Sequence, residues 1–385
     1  MKKRKDNKGR VLKEGETQRK DGIYQYRWTD RLGKRHSIYD GDLKKLREKE
    51  NEVNKNILHG WDLLDYKTTV IQLMQNFYEL KKSSVKPGTK KVYKRLLRKL
   101  DGTAFGASRI IEIKASDAKY WVTDLQRNGL KYSTISSMKA IMRIAFQMAY
   151  EDEMIPKNPF DFKLKDVIVY DVKEKLPLTE KQYSNLLEFV LTDRVFKKYY
   201  EEIVFLYETG IRVSEFCGLT IRDIDFVNKE FTVDKQLIKE KSGVYYIADP
   251  KSKAGFRTIP LSDEAYKAIR TLIARRPRVN EVMVDGYCGF ILVRSNGLPK
   301  NNWNIEYALR QIVKAYNQLH QEEPLPNITP HTLRHTFCTM KIKSGMNIKA
   351  VQYLMGHSKV QTTLDIYTAV EYDDVKSEFD RVENL

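Results

Sequence analysis

The spacing of apolar residues changes character along this chain. Tyr24, Tyr26 and Trp28 fall on every second position between Gly22 and Asp30, the period of a half-buried strand. Arg31-Leu32-Gly33-Lys34 supplies a turn, and Arg35 to Tyr39 reads as a second strand. Asp42 to Leu58 has the composition of a helix. A small sheet with one helix results, one face packed through its aromatic residues and the other left to bind. Residues 1 to about 20 are mostly Lys, Arg, Asp, Glu and Gly with few apolar anchors, and read as a mobile arm.

The period then becomes helical. Thr68 to Leu80 is predicted as a helix. Lys81 to Lys99 contains no acidic residue, and Val92, Leu96, Leu97 and Leu100 form an apolar stripe at helical spacing. Lys90, Lys91, Lys94, Arg95 and Arg98 cover the other faces. A solvated helix gains from oppositely charged i,i+4 pairs, so charge of one sign points to phosphate contact. Ser116 and Ser133 are the predicted caps of helices reaching Leu125 and Tyr150. Ile135, Met138, Met142 and Ala145 form the core stripe of the second. Asn158-Pro159 closes this unit, and the charged, poorly periodic Asp161 to Lys175 reads as a linker.

A third unit opens with the capping box Thr179-Glu180-Lys181-Gln182, which buries Tyr183, Leu186, Leu187 and Val190. A helix through Tyr207 ends at Thr209-Gly210. Glu230 to Val233, Val244 to Ala248 and Arg257 to Pro260 read as short strands, and helices dominate after Leu261. The expected domains are 1–64, 65–165 and 166–385.

Charge narrows the partners. The 385 residues carry a net charge of +18, which suits a polyanion. No basic amphipathic helix with bulky apolar residues stands out, and no run of about 18 apolar residues appears. The charged N-terminus lacks a signal-peptide core, so a cytoplasmic home is expected. Cys217, Cys288 and Cys338 are scattered and odd in number, and read as reduced packing residues.

Four stretches carry candidate chemistry: Thr209-Gly210-Ile211-Arg212-Val213-Ser214-Glu215, His331-Thr332-Leu333-Arg334-His335, Leu354-Met355-Gly356-His357-Ser358, and Tyr367. In this order and over this span they resemble the catalytic boxes of the tyrosine recombinases, which include phage and conjugative-transposon integrases. The helical unit ending in Asn158-Pro159-Phe160 is similar to the family's core-binding domain. The basic N-terminus resembles the arm-binding domain of conjugative-transposon integrases. The expected fold class is therefore multidomain and mainly α with small β-sheets. It comprises an N-terminal three-stranded sheet plus helix, a helical core-binding domain and a mixed α+β catalytic domain.

The residues suit the chemistry. A phosphodiester carries one negative charge and its pentavalent transition state more, and guanidinium forks match it bidentately. Arg212 and Arg334 fit this role. His331 and Arg334, three apart, share a helical face and can meet one phosphate. Tyr367 is the candidate nucleophile. Its phenol needs proton removal and a cationic field at neutral pH, and His331 is the candidate acid/base partner. His357 is expected to hydrogen-bond the same phosphate. Glu215 is expected to orient Arg212, and His335 to be a packed supporting residue. In the family a lysine at a hairpin tip protonates the leaving 5′-hydroxyl. Taking 247–250 and 257–260 as the two strands puts Lys253 at the tip, with Lys251 as the alternative. Candidate DNA contacts are Arg27, Lys34 and Arg35 on the sheet, and Lys86, Lys90, Lys91, Lys94 and Arg95 on the helical unit.

The resemblance implies a site-specific DNA recombinase of a mobile element that works without metal, ATP or other cofactor. Its implied partners are double-stranded DNA at crossover and arm sites, and further copies of the chain in a tetramer. The tetramer contact would be a C-terminal helix bearing Val375, Phe379 and Val382. An accessory excision protein is a further partner the family admits. The rivals are a type IB topoisomerase, a non-catalytic DNA-binding regulator, and a metal nuclease built on the i,i+4 pair His331 and His335. Arg334 beside that pair would repel a cation, and no carboxylate or cysteine nearby completes a ligand set.

Overall fold

The computed structural model describes residues 4–29, 35–58, 67–85, 87–171, 176–240, 242–366 and 376. It forms two compact units, 1–173 and 174–385. Among the described residues no helix is long and apolar enough to cross a membrane.

The first unit opens with three antiparallel strands, β1 (Glu16–Gln18), β2 (Tyr24–Thr29) and β3 (Arg35–Asp40), in that order. Tyr24 and Tyr26 pack with Leu43, Leu46 and Val53 of helix α1 (Leu43–Leu58), and Trp28 and Ile38 border this core. The register pairs Gln25 with Tyr39, Arg27 with Ser37 and Thr29 with Arg35, so Arg27 and Arg35 share the opposite face and are exposed. The expected mobile arm is instead folded. Lys5 bridges Val11, and the buried Asp6 carboxylate accepts from Arg10 and from the Tyr24 hydroxyl. Those bonds hold Asp6 at about 2 against the cost of its burial. A segment that reads as charged loop is thus tied to β2 by one internal carboxylate.

Five helices follow: α2 (Val70–Lys81), α3 (Pro87–Leu100), α4 (Ala104–Ala107), α5 (Ala115–Arg127) and α6 (Tyr132–Glu151). Their core holds Phe77, Leu96, Trp121, Met142, Phe146 and Phe160. Two caps differ from expectation. At α5 the Asp117 carboxylate accepts from Lys114 N–H at 2.8 Å, and Ser116 lies inside the first turn. At α6 the carboxylate of Asp171 accepts from Tyr132 N–H at 3.0 Å, where Ser133 was expected to cap. A carboxylate is the stronger acceptor for a helix start. Asp171 belongs to the stretch read as a linker. That stretch packs on the helices, with Leu164 and Ile168 buried and the Gln126 side chain bonded to both backbone groups of Val169.

The second unit begins with α7 (Glu180–Thr192), whose capping box forms as predicted, then α8 (Tyr200–Thr209) and α9 (Val213–Gly218). Strands β4 (Ile224–Asp225) and β5 (Glu230–Val233) come next, then a hairpin of β6 (Gln236–Lys239) and β7 (Tyr245–Ala248), then β8 (Arg257–Pro260). β8 pairs with β5 and β7 with β6, so Tyr245–Ala248 and Arg257–Pro260 lie in different sheets, and 249–250 lie in none. The expected hairpin around Lys253 therefore does not form. Strand partners are set by long-range register, which local pattern does not report. Helix α10 (Asp263–Ala274) precedes a long non-helical stretch closed by the bridges Val284 to Tyr287 and Val293 to Pro299, where helices had been expected. Pro277 and the left-handed glycines Gly286, Gly289 and Gly297 break it up. Helices α11 (Asn302–Leu319), α12 (Pro330–Lys343), α13 (Ile348–Met355) and α14 (Val360–Leu364) complete the described chain.

Candidate active site

Helix α13 ends at Gly356, whose φ of 59° is left-handed. The last carbonyls of a helix lack partners within it and carry the negative end of its dipole. Here three successive ones each meet a different arginine. Arg257 Nε donates to Leu354 O at 2.7 Å, Arg334 Nη2 to Met355 O, and Arg212 Nη2 to Gly356 O at 2.9 Å. A Cβ on Gly356 would stand 2.9 Å from both the Ala254 carbonyl and Arg257 Nη1. Glycine alone lets loop and guanidinium close on the helix end.

Arg334 lies in the second turn of α12, behind a start fixed by the Thr329–Thr332 capping box and Pro330. It is 3% exposed, and its Nη1 donates to Gly210 O at 2.5 Å. Gly210 ends α8, again with φ 59°, and a Cβ there would stand 2.3 Å from the Phe337 ring. Burial, and then the charge of Arg212, push the Arg334 guanidinium down to about 9. It stays charged at neutral pH.

Glu215 joins the other two arginines. Its Oε1 accepts from Arg212 Nη1 at 2.8 Å, and its Oε2 from Arg257 Nη2 at 2.9 Å and from Arg212 N–H at 3.1 Å. Burial alone would raise this carboxyl, but Arg257 and then Arg212 hold it below the usual glutamate range. A buried charge requires such partners.

His357 Nε2 lies 3.1 Å from Arg334 Nη2, and its Nδ1 lies 3.0 Å from Thr363 Oγ1. A guanidinium only donates, so Nε2 accepts and the network assigns the ring proton to Nδ1. Burial, then Arg334, push this imidazole down to about 3, so it is neutral near pH 7. The residue expected to reach for phosphate thus turns its ring lone pair toward Arg334.

His331 is exposed one turn before Arg334, its Nε2 2.9 Å from that of half-buried His335. Among the described residues no three His, Cys, Asp or Glu side chains come together to hold a metal ion. Lys253 opens a short turn, Lys253–Gly255, and is exposed, as is Lys251. The Ala254 carbonyl in that turn faces Gly356, which puts the loop beside the arginines. The structure thus brings Arg212, Glu215, Arg334 and His357 together. Tyr367, Lys34, Lys86 and the apolar positions Val375, Phe379 and Val382 lie outside the described residues. Ile366, just before Tyr367, packs on the core of Phe337, Cys338, Val351 and Met355. In the first unit Arg27, Arg35, Lys91, Lys94 and Arg95 are exposed and Lys90 is half-buried.

Sequence reasoning missed Arg257. Its side chain is 0% exposed and spends its bonds on Leu354, Gly255 and Glu215. It therefore acts through its neighbours. A signal was present: strand alternation puts Arg257 on the buried face of Ile259.

The chain is similar to known proteins along nearly its whole length. Residues 177–374 match the phage integrase family, and residues 1–57 match the DNA-binding domain of Tn916 integrase. The transposase from transposon Tn1545 of Streptococcus agalactiae is 39% identical over 99% of this chain and 96% of the relative. The transposase from transposon Tn916 of Enterococcus faecalis is also 39% identical, over the same shares. A solved structure of the Tn1549 transposon integrase in complex with a circular intermediate DNA superposes with a TM-score of 0.77. It is 40% identical and covers 81% of this chain and 99% of its own.

Proposed function

The chain belongs to the phage integrase family and is a tyrosine recombinase, and from that premise we propose that it cuts and rejoins double-stranded DNA as the integrase of a mobile element. The reading rests on the arginine cradle at the end of α13. A guanidinium carries five N–H donors. Arg212 uses two on Glu215 and Gly356, and Arg334 uses three on Gly210, Met355 and His357. The donors left over are aimed by fixed neighbours, the preorganisation that stabilises charge growing on phosphorus.

In this mechanism Tyr367 attacks the scissile phosphorus. A 3′-phosphotyrosyl bond forms, the bond to the 5′-oxygen breaks, and Lys251 or Lys253 protonates that oxygen. His331 takes the phenol proton, with His335 supporting it. Glu215 and Arg257 hold Arg212 in place. His357 steadies Arg334 through Nε2, and because the Thr363 hydroxyl at Nδ1 can donate as well as accept, the same site also accommodates the tautomer whose Nε2–H donates to the phosphate. The free 5′-hydroxyl of a partner duplex then attacks the phosphotyrosine. Bond energy is kept in the link, so the cycle needs no cofactor. Four copies, joined through the C-terminal segment, exchange two strands, pass through a four-way junction and exchange two more. Domains 65–165 and 166–385 hold the crossover site, and domain 1–64 holds an arm site through Arg27, Lys34 and Arg35. Lys86, Lys90, Lys91, Lys94 and Arg95 add phosphate contacts.

The test is to incubate the protein with nicked attachment-site DNA in EDTA and look for a protease-sensitive covalent adduct. The adduct is expected from the native protein and absent from Tyr367→Phe. Cleavage that requires a divalent metal, or cognate binding with no adduct, overturns the mechanism. A second duplex then separates strand exchange from simple relaxation.

A further inference from the structure

Helix α8 has a charged region at each end. Its C-terminus supplies the Gly210 carbonyl to the cradle. At its N-terminus, about 14 Å away at roughly 1.5 Å per residue, lies a cleft of about 640 Å³. Six cationic side chains line it against two carboxylates, Glu201 and Glu202. Three of those cations are paired. Lys300 binds buried Glu202, Arg275 binds Glu201 at 2.7 Å, and Arg276 binds Glu281. Lys197, Lys198 and Arg294 form no ion pair among the described residues, though the charge of Lys198 is felt at Glu202. Lys198 and Lys300 both stand over the ring of Tyr199, at 5.1 and 5.4 Å from its centre. Arg276 Nε and Glu201 Oε2, on two residues that line the cleft, are each buried without a hydrogen-bond partner.

Like charges gathered in a recess repel one another, and the repulsion is relieved when an anion enters. We propose that this cleft is a second phosphate-binding site, separate from the cradle, with Lys197, Lys198 and Arg294 as its ligand-facing cations. The phosphates come either from DNA beyond the crossover site or from a free polyphosphate. Both offer the same oxyanions, and the cleft holds more than one of them.

The variant Lys198→Ala with Arg294→Ala tests this in the full-length protein. Neither residue belongs to the catalytic machinery, so adduct formation on a short nicked site and the melting temperature stay unchanged. Binding is measured against salt on a short crossover duplex and on a long one, and melting with added tripolyphosphate. If DNA is the source, the slope of log K against log salt on the long duplex drops by about 1.8 for two lost contacts, while the short duplex is unaffected. If a free polyphosphate is the source, tripolyphosphate raises the melting temperature of the native protein but not of the variant. Equal salt slopes together with no response to tripolyphosphate overturn the proposal. Lys197→Glu, which reverses a charge at the same wall, enlarges either effect.

Discussion

On α3, Lys91, Lys94 and Arg95 are exposed and have no carboxylate partner among the described residues. At the end of α13, Arg334 and Arg257 are buried and bonded to carbonyls and to Glu215. Both regions present positive charge, yet they hold it in opposite ways. An exposed lysine keeps its rotamer freedom and gives an affinity that salt erodes. A buried arginine has lost that freedom during folding, so its remaining donors are in position before substrate arrives. In the proposed function one region sets how much DNA is bound, and the other what happens to a single phosphate.

The contrast can be tested from its strong end downward. The largest effect after loss of the nucleophile concerns the leaving group. Lys251→Ala or Lys253→Ala, whichever is the general acid, is expected to slow cleavage roughly 10²–10⁴-fold. A DNA in which sulfur replaces the bridging 5′-oxygen leaves without a proton, and should restore the rate of that variant alone. Equal slowing on both substrates would remove the lysine from this role.

Arg257→Lys comes next. It keeps the charge but loses the three-way fork, so single-turnover cleavage is expected to fall about tenfold or more while DNA affinity holds, since a charged hydrogen bond contributes roughly 1.5–3 kcal/mol. With fewer partners, Glu215 ionises less readily, and the acid limb of the rate profile should move to higher pH. An unmoved limb would mean that Arg257 serves folding only.

Removing Lys91, Lys94 and Arg95 together should do the reverse. The salt slope is expected to decrease by about 3, at roughly 0.9 per phosphate contact, with the cleavage rate at saturating DNA unchanged. A rate loss at saturation would blur the line between the two regions.

The smallest effect is on stability. His357 is depressed from 6.5 to about 3. Between those values the unfolded chain binds a proton that the folded ring refuses, so stability falls as pH drops from about 6.5 toward 3. His357→Gln should flatten that part of a melting-temperature profile, and an unchanged profile would contradict the burial.

Much of the fold was legible because it follows local chemistry. Thr179–Gln182 caps its helix, Met138 and Met142 lie in the core, and Gly210 ends a helix as its position suggested. The misses share a physical cause. Asp171 and Arg257 are charged residues whose partners are distant in sequence, and Asp6 joins its neighbour Arg10 to the more distant Tyr24. Arg257 reaches Glu215 at a separation of 42 and Leu354 at 97. Periodicity reports which face a residue takes, but not which distant carbonyl or carboxylate meets it there. The Lys253 hairpin failed for the same reason, because strands adjacent in sequence joined different sheets.

The end of α13 has one more consequence. The Leu354 and Met355 carbonyls sit about 100° apart around the axis, since the helix makes a turn every 3.6 residues, and the left-handed Gly356 sets the place of the third. Adding or deleting a single residue between Asn347 and Gly356 would rotate the whole set and offer every guanidinium the wrong oxygen. The length of this segment therefore matters to the cradle as much as the identity of its side chains does.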